Sequence, residues 1–388
     1  MRDGKLSIAY VHYGAQSGVT PQVARALAAR GHDVRLVEAT GDLEPRHPVT
    51  RRLRPLPGVA LHLAAAAARF GLRRRALEHR WNTPFAFDCH ALRAGEALRA
   101  LEPAPRLVLQ NGALFAPGLP APYPYALLLD HTSALLMRSP AWPIAGLPAP
   151  LDYGDAWRAR ETSVYRRARV LATFSENVAR SLVRDYGVHP GRVRVVGAGA
   201  NVFPGAAPRQ DDGRTILFVG RDYARKGGPV LAEAFARLRS WEPRARLLVA
   251  GPPTPPALPE RGHWLGPVEL DELPALLAQA TVFALPTLRE PFGLAFLDAM
   301  ACAVPCVGTA HEAVPEIVED GETGLLVPPG DPGALADALG RLLADPARAR
   351  AMGARGRARV ESRFLWGHVA ERLEEALLAA LSPHGKAA

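Results

Sequence analysis

Glu290 and Asp298 stand eight residues apart in Thr287-Leu-Arg-Glu290-Pro-Phe-Gly293-Leu-Ala-Phe-Leu-Asp298-Ala-Met-Ala. The apolar run 280–285 before them reads as a buried strand. The apolar stretch after them reads as a short helix that Val304-Pro305 ends. One carboxylate is thus expected on a strand-to-helix loop, at the carboxyl edge of a sheet. The other is expected about one turn into the helix. Open α/β sheets bind their ligands at that edge. Two acids there suit acid/base work, or the holding of sugar and ribose hydroxyls.

The second chemical segment is Phe218-Val-Gly220-Arg221-Asp-Tyr-Ala-Arg-Lys226-Gly-Gly-Pro229. A strand is expected to end at Gly220 and a helix to open near Pro229. Two cations, small residues and a helix N-terminus with N–H groups to offer suit a diphosphate leaving group. A surface turn in a basic protein is the plainer reading, and Arg221 alone would fit it. Lys226 argues against it. Of 47 basic residues only three are lysine, Lys5, Lys226 and Lys386. Where arginine serves almost everywhere else, a lysine at this place points to a need for a compact charge.

These residues need elements to hold them. A chain of 388 residues can bury two full cores. The pattern alternates short β runs with helical runs, as in doubly wound α/β folds. Strands are expected at 6–11, 34–37, 107–109, 125–129, 170–174, 194–196, 216–219, 247–250, 282–285 and around Cys306. Helices are expected near 20–30, 176–185, 229–240, 273–280, 294–303, 333–343 and 365–381, with Ser175 and Asp331 as caps. The turn-rich segment 203–213 reads as a linker. The expected domains are therefore 1–203, a linker at 204–213, 214–364, and a C-terminal helix and tail at 365–388. Two Rossmann-like halves imply a cleft between them.

Composition narrows the function classes. The net charge is +9, with 48% hydrophobic and 22% charged residues, as in an ordinary globular protein. Lysine-poor, arginine- and proline-rich usage points to a GC-rich bacterial genome. No nucleic-acid module accompanies the charge. Anionic partners remain, either nucleotide diphosphates or an acidic membrane face. No apolar stretch reaches the ~20 residues of a membrane span, and no secretory signal is read, so a cytoplasmic location is expected. Cys89, Cys302 and Cys306 match no disulfide or zinc framework. Arg51, Arg52, Arg54, Arg69, Arg73, Arg74, Arg75 and Arg80 flank an alanine-rich run that could dock on an anionic leaflet. No clean amphipathic face emerges there, and a solvated or acceptor-binding helix is equally open.

Gly220-Arg221…Lys226-Gly227 with Glu290-x7-Asp298 resembles the retaining glycosyltransferases of family 4, which have the GT-B fold. Asp298-Ala-Met-Ala-Cys-Ala-Val-Pro305, Pro315-Glu-Ile-Val-Glu-Asp-Gly-Glu-Thr-Gly324 and Leu325-Leu-Val-Pro-Pro-Gly-Asp331 extend the likeness through the C-terminal half. In the N-terminal half it is carried by 27–34, Asp130-His131 and 186–193. The resemblance implies an α/β GT-B protein, with a C-terminal helix returning to the N-terminal domain. It implies roles as well. Arg221 and Lys226 would hold the diphosphate. Glu290 would contact donor-sugar hydroxyls beside Phe292, Gly293 and Leu294, and Gly220 would line the donor site. Asp298 would hold the ribose. His131 would sit near the donor sugar, with catalytic standing beside Arg221, Lys226 and Glu290. Gly18 would face the phosphates.

Two positions depart from that pattern. The family has glutamate where this chain has Asp298, so a shifted ribose or a bridging water is expected. The family's paired glycines are reduced in Gly14-Ala-Gln-Ser-Gly18 to Gly18 alone. The expected activity is metal-independent transfer, with retention, from a nucleotide-diphosphate sugar. The acceptor hydroxyl would belong to a glycan, a lipid-linked molecule or a small molecule in polysaccharide or glycolipid synthesis. No cofactor, metal or nucleic acid is expected, and peripheral contact with an anionic membrane is open. Lys226→Ala is expected to cost turnover far more than folding. The alternatives are another GT-B enzyme, an epimerase or phosphorylase, or a catalytically silent carbohydrate- or membrane-binding relative.

Overall fold

The structure is a computed structural model that describes residues 5–13, 18–39, 57–72, 79–138, 152–202 and 210–381. These fall into two compact units. The chain leaves the first unit after Val196, builds the second from Gly197 to His368, and rejoins the first at Val369.

In the first unit the order is β1 (Ser7–His12), α1 (Val19–Ala29), β2 (Asp33–Glu38), α2 (Pro57–Phe70), α3 (Pro84–Arg99), β3 (Leu107–Asn111), β4 (Tyr125–Leu129), α4 (Ser133–Arg138), α5 (Asp155–Arg167), β5 (Val170–Thr173), α6 (Glu176–Tyr186) and β6 (Val193–Val195). The strands form one sheet in the order β2-β1-β3-β4-β5-β6, and every described pairing is parallel. β3, β4 and β5 are buried at every residue, as continuous apolar runs are when helices cover both faces of a parallel sheet. Thr83 caps α3, its hydroxyl accepting from Ala86 N at 3.1 Å, with Pro84 opening the helix. Ser175 does the same for α6 through Val178 N at 3.3 Å, the capping role its sequence implies.

The second unit contains β7 (Thr215–Val219), α7 (Gly228–Leu238), β8 (Arg246–Ala250), β9 (Gly262–Gly266), α8 (Leu273–Gln279), β10 (Val282–Leu285), α9 (Leu294–Ala301), β11 (Cys306–Thr309), α10 (Val314–Ile317), β12 (Gly324–Val327), α11 (Pro332–Ala344) and α12 (Pro346–Arg363). Its strand order is β12-β11-β10-β7-β8-β9, again parallel throughout. The topology reverses between β7 and β10, which pair directly through Val282 with Ile216 and Phe283 with Leu217. A reversal of this kind opens a crevice beyond the carboxyl ends of the two strands.

The last helix, α13 (Trp366–Leu381), belongs to the first unit from Val369 onward. Arg372 Nε donates to Val196 O at 2.8 Å. Glu374 pairs with Arg30 and lies 3.0 Å from His32 Nε2. The return of this helix, expected from the family likeness, is therefore observed. Five helices were not anticipated: α3, α4, α5, α10 and α12. The helix expected over 294–303 ends earlier, at Ala301, because Ala303 turns left-handed at φ 55° ahead of Val304-Pro305.

Candidate donor site at the switch point of the second sheet

The two segments singled out for their chemistry follow the two strands of the reversal. Gly220-Arg221 leaves the end of β7, and the loop 286–293 leaves the end of β10. The loops are tied to one another by backbone. Leu288 N donates to Arg225 O at 2.9 Å, and Arg225 Nη1 to Arg289 O at 2.9 Å. Gly227 caps α7 in the left-handed conformation at φ 76°, and a Cβ there would lie 1.9 Å from Pro286 O. Glycine at 227 is what lets the two loops close on each other. Gly220 sits against the Lys226 stem, 3.1 Å from Cγ to an added Cβ.

This closure brings Lys226 and Glu290 together. Lys226 Nζ forms an ion pair with Glu290 Oε2, with side chains 15% and 5% exposed. Burial lowers the lysine pKa, and the facing Glu290 carboxylate opposes that shift. Arg221 behaves differently. It is exposed, and no hydrogen bond or ion pair joins it to another described residue. One cation is thus held and desolvated, and the other is presented to solvent beside it.

The helix N-terminus at Lys226 offers less than its sequence suggests. Gly227 N donates to Ala224 O at 3.1 Å and Gly228 N to Tyr223 O at 2.8 Å, so the loop consumes its own donors. The start of α9 is more open. Gly293 caps it at φ 118°, Phe292 is buried at 4% exposure, and Phe296 N bonds to Gly293 O. The N–H groups of Leu294 and Ala295 have no acceptor among the described residues. An anionic or hydroxylic ligand oxygen can use them.

Asp298, fifth in α9, is 5% exposed. Its Oδ1 accepts from Asn201 N at 2.7 Å and Val202 N at 3.0 Å. One oxygen of the carboxylate expected to hold the ribose is therefore already engaged, and only Oδ2 has no partner among the described residues. Burial pushes this carboxyl up to about 7, against the two N–H donors that lower it. The folded state then holds a proton between pH ~4 and ~7 that the unfolded state has released, so stability falls as pH rises through that window. Asp298→Asn keeps an oxygen for both N–H groups and has no charge to bury. It should melt higher than the parent at pH 8, by a margin that closes toward pH 4 in paired thermal melts. A margin independent of pH would contradict this reading.

Sequence reasoning missed two neighbours. Glu312, on the loop after β11, accepts a hydrogen bond from Glu290 N, and His311 Nε2 lies 3.5 Å from Glu312 Oε1. No periodicity flags them. Arg359 Nη2 donates to Glu316 O at 3.0 Å, and a Cβ on Gly324 would lie 2.2 Å from Cys306 O.

In the first unit, Gly18 caps α1 at φ 87°, and residues 14–17 lie outside the described residues. His131 follows β4 at its carboxyl end, half-buried. The residues after it are anchored by a network the sequence did not announce. Glu161 Oε1 accepts from Ser133 N at 3.1 Å and Tyr165 Oη at 2.9 Å, and Oε2 accepts from Tyr186 Oη at 2.8 Å and from Ser133 Oγ. The Glu161–Tyr165 spacing on one helix face was the available clue. Of the arginines read as a basic stretch, Arg51, Arg52, Arg54, Arg73, Arg74 and Arg75 lie outside the described residues. Arg69 donates to Asp152 O at 2.7 Å. Among the described residues no group of three or more His, Cys, Asp or Glu is placed to hold a metal, and no helix is long and apolar enough to cross a membrane.

Residues 213–345 match the family model for glycosyl transferases group 1. A D-inositol 3-phosphate glycosyltransferase of Acidothermus cellulolyticus is 32% identical over 385 residues, covering 90% of this chain and 82% of that protein. The chain belongs to this glycosyltransferase family. A protein of the same name from Corynebacterium diphtheriae is 32% identical over 254 residues, and the match spans 58% of this chain and 59% of that relative. Among solved structures, the sucrose-phosphate synthase of Thermosynechococcus elongatus superimposes with a TM-score of 0.71 at 24% identity, over 97% of this chain and 100% of that one. That likeness concerns the fold, and it agrees with the GT-B architecture of two parallel Rossmann-like sheets. The family 4 resemblance read from the motifs around Lys226 and Glu290 is thus supported by a relative that aligns with 90% of the chain.

Proposed function

We propose that this glycosyltransferase moves a sugar from a nucleotide-diphosphate donor to an acceptor hydroxyl with retention of configuration, without a metal. The observation that carries the reading is the pairing of buried Lys226 with Glu290 on the loops that also carry exposed Arg221, which has no partner among the described residues, at the switch point of the second sheet. The arrangement supplies what the reaction lacks in water. As the bond from the anomeric carbon to the diphosphate oxygen breaks, negative charge grows on the leaving phosphate. Arg221 and Lys226 offset it in a partly desolvated site. Glu290 orients the sugar hydroxyls, the Leu294 and Ala295 N–H groups donate to donor oxygens, and Asp298 Oδ2 takes a ribose hydroxyl. The acceptor oxygen forms its bond on the face the phosphate leaves, and its proton passes to that phosphate, so no covalent nucleophile is required.

The names of the relatives make a small phosphorylated polyol a first acceptor to try, beside glycan and lipid-linked hydroxyls. Release of nucleoside diphosphate from UDP- and GDP-sugars, with and without D-inositol 3-phosphate, tests the assignment. One donor should turn over, and the product should keep the donor's anomeric configuration by NMR. A protein that cleaves no donor in the panel, or an inverted product, would contradict it.

A further inference from the structure

Glu312 has a backbone that glutamate does not favour. Its φ is +52°, in the left-handed region that costs a non-glycine residue roughly 1–2 kcal/mol and glycine almost nothing. Its side chain is nevertheless turned inward and only 4% exposed. There it receives the backbone N–H of Glu290 on Oε2, while Oε1 lies 3.5 Å from His311 Nε2. Glu290 is thus gripped twice. Lys226 holds its carboxylate, and Glu312 holds its amide. The carbonyl of the same 289–290 peptide accepts from Arg225 Nη1 and from Thr287 Oγ1, each at 2.9 Å, so this peptide is held at its carbonyl end as well. Glu312 is the acceptor for the Glu290 N–H among the described residues, so its side chain fixes the N–H end of that peptide. Thr309 Oγ1 donates to Thr287 O at 2.8 Å, so the strand end that carries Glu312 is itself fixed to the same loop.

The geometry points to Glu312 as a positioning residue for donor transfer. Resting on the function proposed above, it holds the 289–290 peptide so that the Glu290 carboxylate stays aimed at Lys226 and the donor sugar. A residue kept only for folding would be replaced by glycine with profit at this φ. A residue kept for positioning would not, because glycine supplies no acceptor for the Glu290 amide. The two roles therefore separate in one substitution.

Glu312→Gly is expected to melt at or above the parent temperature. It should release nucleoside diphosphate from UDP-glucose or GDP-mannose with kcat lowered ~10–100-fold and the donor KM little changed, since misplacement by about 1 Å costs that much. Glu312→Gln keeps an oxygen for the amide and should restore most of kcat. Deuterium exchange across 288–293 should be faster in Glu312→Gly and near the parent in Glu312→Gln. A Glu312→Gly protein with the parent's kcat, or with unchanged exchange across 288–293, overturns the inference. So does a melting temperature that falls together with activity in both variants. If the parent itself cleaves neither donor, the failure belongs to the proposed function. The exchange comparison still decides whether Glu312 holds the loop.

Discussion

Lys226→Ala is expected to lose both stability and turnover, and the two losses should be separable. Removing the lysine leaves the Glu290 carboxylate, 5% exposed, without its cation. Breaking one side of a buried pair costs roughly 3–5 kcal/mol, because a charge is left uncompensated. The expectation drawn from sequence put the cost in turnover far above the cost in folding, whereas here the two are comparable. The ion pair is the reason for the change. Adding Glu290→Gln removes the stranded charge, so Lys226→Ala/Glu290→Gln should recover most of the lost stability in urea denaturation. It should not recover transfer, expected to stay about 10²–10³-fold down in kcat/KM, because the phosphate has lost its cation and the sugar its carboxylate. A double variant that regains activity with stability would show that the pair serves the fold only.

Arg221→Ala should behave in the opposite way. Arg221 is exposed and unpartnered among the described residues, so its removal breaks no hydrogen bond or ion pair there. Surface substitutions of this kind change stability by about 0.5 kcal/mol or less. Its guanidinium is nevertheless one of two cations at the mouth of the switch point. A loss of about 10²-fold in transfer, with the melting temperature unmoved, is expected in steady-state assays. Arg221→Lys should recover only part of it, because an ammonium cannot present two parallel N–H donors to a phosphate. Full activity in Arg221→Ala would place the diphosphate elsewhere.

The chemistry was legible in sequence where it is local. Gly220, Arg221 and Lys226 share one strand-to-helix loop, and Glu290 to Asp298 share another, so spacing alone displayed them. Rossmann-like alternation was legible because apolar runs of four to six residues sit between turn formers, as β7 and β10 do. What escaped was set by distance or by weak patterning. Asp298 meets Asn201 and Val202 across nearly a hundred residues, which no motif reports. α12 carries glycines at 353 and 356 within a run of arginine and alanine, so its period is blurred; those glycines admit Ala303 O and Met300. α5 is strongly polar, and its buried face of Trp157, Glu161, Val164 and Tyr165 includes a carboxylate, which hides the apolar stripe. Glu312 owes its place to a left-handed turn that a glutamate does not advertise.

Arg221 and Lys226 are proposed to bind a nucleoside diphosphate in the crevice beyond the carboxyl ends of β7 and β10. Titration calorimetry of the parent and Arg221→Ala with UDP and with GDP tests it most directly. One of the two nucleotides should bind the parent with micromolar affinity and bind Arg221→Ala at least about tenfold more weakly, a difference of roughly 1.4 kcal/mol. Binding of equal strength to both proteins, or no binding of either nucleotide to the parent, would contradict it.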